Sequence, residues 1–208
     1  MKERTPHQWK KLPISFYERK NVLVIGKELL GKVLVTRFEG VLTAGRIVET
    51  EAYNGIIDKA SHAFGGRRTD RTEVMYANGG KAYVYLCYGI HHLFNVVTNV
   101  EGTPHAILIR AVEPIIGIED MLIRTGKKKL DNTLTKGPGN VSKALGIHTH
   151  HTGADLKSTH IFIADDGYKL SRNQILATPR IGVDYAGDDA LLPYRFIVKG
   201  NAYVSGKR

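Results

Sequence analysis

Behind Asn21, apolar residues Val22, Ile25 and Leu29 recur at helical spacing, and Gly31 supplies a stop, so the chain predicts a capped helix there. The pattern then changes to runs rich in β-branched and aromatic residues. Lys32–Phe38 and Val41–Tyr53 read as strands joined at Glu39-Gly40. Lys81–Tyr88, Leu93–Thr98 and His105–Val112 read as three more. Pro114 is expected to open a helix carrying Ile115, Ile118, Met121 and Leu122. Gly137-Pro138-Gly139 leads into a short helical segment, Val141–Leu145, and the last third yields strands at Ile161–Ala164 and Arg195–Lys199. Strands outnumber helices and are joined mostly by turns. The expected fold is α+β: a single domain with a curved, antiparallel, partly closed, barrel-like sheet and helices packed outside. A loosely held arm is expected over residues 1–20 and the domain over 21–208.

Composition narrows the function. The 208 residues suffice for one sizeable core. Lys plus Arg total 30 against 20 Asp plus Glu, a formal net charge of +10, which favours an anionic partner, nucleic acid first and an acidic membrane surface second. The one cysteine, Cys87, excludes an internal disulfide framework and a multi-cysteine zinc site. No apolar run approaches the roughly 18 residues that span a bilayer, and the charged N-terminus lacks the apolar stretch of a secretory signal. A soluble intracellular protein is the expectation.

Chemistry concentrates between Glu49 and Asn95. Glu49 and Glu51 share one face of a strand that also carries the apolar residues Ile47, Val48 and Ala52, so both carboxylates are expected to be buried. They either pair with arginines or do chemistry, and one of each is compatible. Tyr53 follows on that face, and Tyr76, Tyr83, Tyr85 and Tyr88 crowd nearby. Such tyrosines suit an ordinary sheet equally well. Beside Arg67, Arg68 and Arg71 they could also stack nucleobases while the arginines hold phosphates. His148, His150 and His151 suit an exposed loop better than a metal site, and Lys127-Lys128-Lys129 a solvated one. The nucleobase-deaminase signature, a P-loop and a G-x-S-x-G elbow are all missing from the sequence.

Taken in order, Gly45-Arg46-Ile47-Val48-Glu49-Thr50-Glu51-Ala52-Tyr53, Ser61-His62-Ala63, Gly66-Arg67, Tyr83-Val84-Tyr85-Leu86-Cys87-Tyr88-Gly89, Asn95, Arg110-Ala111-Val112-Glu113-Pro114 and Gly137-Pro138-Gly139 resemble the alkyladenine (3-methyladenine) DNA glycosylases. The resemblance runs from about residue 20 to 200. It implies base flipping from damaged duplex DNA, with the flipped purine held by Tyr53, His62 and Tyr85, and with Asn95 discouraging guanine. It implies that Tyr88 wedges into the duplex, flanked by Ile90 and His91. Glu51 would activate water against the sugar C1′, with Arg110 positioning it. Arg67, Thr69, His91 and Lys136 would contact phosphates. Asn140 stands where relatives often carry a lysine, and Lys136 or Lys143 would replace that contact. No metal or organic cofactor is implied, nor a membrane or an obligate protein partner, and a monomer suffices. Two rivals remain at this point: a DNA-binding module without chemistry, and a metal-dependent nuclease using Glu49, Glu51 and His62.

Overall fold

The computed structural model describes residues 9–206. Nine strands among them form one antiparallel sheet: β1 (Lys10–Lys11), β2 (Val33–Phe38), β3 (Val41–Tyr53), β4 (Ala82–Cys87), β5 (His91–Thr98), β6 (His105–Ile116), β7 (Ile161–Asp165), β8 (Ile175–Thr178) and β9 (Arg195–Val198). The main path is β1-β7-β2-β3-β6-β5-β4, with β9 pairing both β3 and β8. The sheet curls without closing, the α+β architecture expected.

Helices α1 (Ile14–Tyr17), α2 (Val22–Leu29), α3 (Ile118–Thr125) and α4 (Pro138–Leu145) complete the frame. Asn21 caps α2 by accepting from the backbone N–H groups of Leu23 and Val24. The apolar stripes of α2 (Val22, Ile25, Leu29), α3 (Met121, Leu122) and α4 (Val141, Ala144, Leu145) bury together against Ile47, Phe94, Ile107 and Ile109 of the sheet. This cluster is the main core.

One expectation is corrected, and two features go beyond the sequence reading. Pro114 does not start a helix. It lies within β6 opposite Gly45, at a register irregularity where a missing N–H breaks no regular ladder. The helix begins only at Ile118, after Gly117 turns the chain with φ of 74°. A further strand, β8, pairs with β9; its short run Ile-Leu-Ala-Thr carries too little pattern to be read alone. Residues 9–20 of the expected arm pack against the domain: β1 pairs with β7, Leu12 and Tyr17 are buried, and residues 1–8 lie outside those described.

One irregularity positions the site. β3 pairs with β2 along its first half and β9 along its second, while β6 follows its other edge. Where the partners change, Val48 on β3 and Arg110 on β6 each lack a register partner. A bulge places two successive residues on one side and reverses the alternation beyond it. Ile47 therefore joins the main core, and Val48 packs with Ala111 and Val204 in a separate cluster. Glu49, Glu51 and Tyr53 follow on Val48's side, while Thr50 bonds the Gly26 carbonyl in α2 and Ala52 joins the main core. Unbroken alternation would aim both carboxylates into that core.

Candidate active site

Both carboxylates are fully buried, which is costly unless donors replace the lost water. Glu49 is saturated. Arg195 Nε (2.7 Å), Arg110 Nε (3.0 Å) and the Ser205 hydroxyl (2.9 Å) donate to Oε1, and the Ser205 backbone N–H (2.6 Å) to Oε2. Held on both oxygens, Glu49 ties β3, β6, β9 and the chain near residue 205 together.

Glu51 is held differently. Tyr53 Oη donates to Oε2 at 2.8 Å, the Ile181 backbone N–H donates to Oε1 at 2.8 Å, and Arg110 Nη1 lies 3.4 Å from Oε1. All three are donors, the pattern that suits a carboxylate. Tyr53, Arg110 and Ile181 also line an open cleft of about 350 Å³, shared with Tyr88, His91 and Lys136. Glu51 thus stands directly behind the cleft wall. Burial and the Glu51 charge hold the Tyr53 phenol well above its ordinary pKa, so it remains a donor. Burial pulls Arg110 down, but the charges of Glu51 and Glu49 outweigh it and leave its pKa raised.

Beside the cleft lies an aromatic compartment where Tyr53, His62, Tyr85 and Asn95 come together with Tyr83, Met75 and Tyr185. Its free volume is about 30 Å³, space for water rather than a purine. His62 meets Tyr85 edge-on, with centroids 4.6 Å apart. Arg71 Nη2 lies 3.3 Å from His62 Nε2, and Tyr83 Oη lies 2.8 Å from Nδ1. Arginine only donates, so Nε2 accepts and Nδ1 carries the proton toward Tyr83. Burial, then the charges of Arg71 and Arg67, push His62 down to about 4, leaving a neutral ring at pH 7. Asn95 donates to the Tyr83 and Leu93 carbonyls at 3.2 and 3.1 Å, which fixes its amide plane.

A buried Arg180–Asp58 pair braces this wall: Arg180 Nη2 donates to Asp58 Oδ1 at 2.8 Å, Nη1 to the Ala52 carbonyl at 3.0 Å, and the guanidinium lies 4.9 Å from the Tyr53 ring centroid.

At the cleft mouth the β4–β5 hairpin turns through Tyr88 (φ 51°) and Gly89 (φ 72°), with Ile90 N–H donating to the Cys87 carbonyl. Tyr88 is 89% exposed and Ile90 71%. A bulky residue held at positive φ and presented to solvent is a functional signal. His91 packs beside Gly139 at the start of α4. The side chains of Arg67 and Lys136 have no ion pair among the described residues, whereas Arg68 pairs with Glu73. The backbone N–H of Thr69 is taken by the Thr72 hydroxyl, and the two hydroxyls lie 3.2 Å apart. Among the described residues, no group of three or more His, Cys, Asp or Glu is arranged to hold a metal ion.

Residues 15–202 match the family model described as "Methylpurine-DNA glycosylase (MPG)". A Bacillus mycoides (strain KBAB4) protein named "Putative 3-methyladenine DNA glycosylase" is 47% identical over 201 residues, covering 93% of this chain and 98% of its own. A Bacillus cereus (strain G9842) protein of the same name is 47% identical over 203 residues, covering 94% and 98%. The chain belongs to the methylpurine-DNA glycosylase family.

It is therefore a DNA glycosylase, and the family resemblance expected from the motifs holds. Within this glycosylase frame the structure gathers Tyr53, His62, Tyr85 and Asn95 into one compartment, sets Arg110 between Glu49 and Glu51, and leaves Tyr88 and Ile90 at a hairpin tip. Sequence reasoning missed Ile181, Arg195, Ser205, Arg71 as a partner of His62, and Tyr185. Ile181 and Ser205 act through backbone N–H groups, which leave no trace in residue type. The only available signal was the need of two buried carboxylates for donors, which called for one more arginine than Arg110.

Proposed function

We propose that this glycosylase flips alkylated or deaminated purines out of duplex DNA and hydrolyses the N-glycosidic bond, leaving an abasic site in an uncut strand. 3-Methyladenine, 7-methylguanine, hypoxanthine and ethenoadenine form the substrate class. The observation that carries this reading is Glu51, a buried carboxylate whose three donors line the cleft next to an aromatic compartment. In the reaction, Tyr53, His62 and Tyr85 enclose the flipped base, a neutral His62 sparing a cationic purine charge repulsion. Tyr88 fills the space the nucleotide leaves. Glu51 takes a proton from the attacking water, and its charge stabilises the oxocarbenium-like sugar. Arg110 sets the orientation of Glu51, and Arg67, Thr69, His91 and Lys136 meet phosphates. The setting is the bacterial cytoplasm, at the nucleoid, with double-stranded DNA as partner.

Single-turnover excision from duplexes carrying hypoxanthine or 7-methylguanine, with chelator present, tests this. Wild type should release free base and leave alkali-labile, uncut strands, and Glu51→Gln should lose at least ~100-fold in rate. Lesion binding without release by wild type would instead favour a non-catalytic base-stacking module, and strand cleavage abolished by chelator a nuclease.

A further inference from the structure

The aromatic compartment and the outer cleft share three lining residues, Tyr53, Tyr85 and Tyr185. The inner space holds only about 30 Å³, so a purine entering it from the cleft must displace lining side chains, and these three stand at the boundary between the two. Tyr53 is pinned by its bond to Glu51 and by Arg180 over its ring. Tyr85 is wedged between His62 and Arg71. Tyr185 is different. It is 70% exposed, and a single hydrogen bond secures its tip, from its hydroxyl to the Ala60 carbonyl at 3.0 Å. Its neighbours Val183 and Ala186 are buried against Ala60, so the backbone there is anchored and only the side chain is free to swing.

Resting on the proposed function, we infer that Tyr185 is the gate of the base compartment: its ring closes the inner space, its hydroxyl latches on the Ala60 carbonyl, and its displacement admits the purine. Rotation of an exposed side chain is fast, so the gate acts by lowering the fraction of molecules ready to accept a base. It thereby weakens the apparent affinity for every purine by the same factor.

Tyr185→Phe removes the latch and keeps the ring. In a Glu51→Gln background, which prevents turnover, affinity is measured for two duplexes that differ at one position, hypoxanthine in one and a tetrahydrofuran abasic analogue in the other. The variant should bind the hypoxanthine duplex about five-fold more tightly, the effect of one released hydrogen bond. The abasic duplex has no base to admit and should bind unchanged. No gain with hypoxanthine, or equal changes on both duplexes, would overturn the gate. In a second measurement, free hypoxanthine is titrated into wild-type protein carrying ¹³C-labelled tyrosine rings, with the Tyr185 signal assigned by loss in the variant. A shift of that signal supports the gate, and a signal unmoved as the base binds, or no binding, argues against it. If wild type releases no base from any duplex, the proposed function fails, and this titration still decides the gate.

Discussion

His62 shows how neighbours decide what a side chain can do. Histidine ordinarily titrates near neutrality, but burial together with Arg71 and Arg67 lowers His62 to about 4. Below pH 6.5 the unfolded chain takes up a proton that the folded chain refuses. The folded state therefore loses stability as pH falls from about 6.5 to about 4, and this group adds no further loss below that. An NMR titration of the imidazole should place its midpoint near 4, and Arg71→Ala should move it upward. A midpoint near 6.5 in wild type would contradict the contact with Arg71. The histidine itself was legible in the motif order, but its partner was not, because Arg71 stood among three arginines with nothing to single it out.

Arg180 and Asp58 carry the same logic to the connection between segments. Their pair joins the loop after β3 to the turn that delivers the Ile181 N–H to Glu51. Removing one partner leaves a buried charge unmatched, so Arg180→Met should cost about 3–5 kcal/mol in urea denaturation. The double variant with Asp58→Asn should recover much of that loss. Strand and helix elements were readable wherever local pattern and local structure agree: Asn21 and its helix, the β2–β3 hairpin, and the tyrosine-rich β4. Pro114 misled because its fixed φ suits a helix start and an irregular strand position alike. The short β8 could only be recognised once β9 was there to pair with it.

Across the molecule, helices fill one side of the curled sheet, and the carboxylates, compartment and hairpin tip gather apart from that core. The formal charge of +10 acts over this whole surface and favours approach to DNA. Of the cations considered, Lys136 lines the cleft itself and has no ion pair among the described residues. Lys136→Ala should therefore reduce the slope of log affinity against log salt by about 0.9, one phosphate contact's share. An unchanged slope would assign that lysine another role. Asn140, by contrast, donates to the Thr133 and Lys136 carbonyls and secures the turn that carries this lysine.

Residue order alone was enough to mark the chemistry-bearing stretch, because a buried acidic pair, a run of tyrosines and a basic loop are stated by residue type at close spacing. It also sufficed for the α+β class and the family resemblance. Which face the carboxylates take was a different matter. Strict alternation would put Glu49 and Glu51 on the side of Ile47, and two opposed bulges, at Val48 and Arg110, turn them to the other. A bulge arises from how two strands meet when one neighbour gives way to another, here β2 to β9. Val48 and Arg110 stand 62 positions apart and β9 lies more than a hundred beyond β3, so only the folded chain contains that junction.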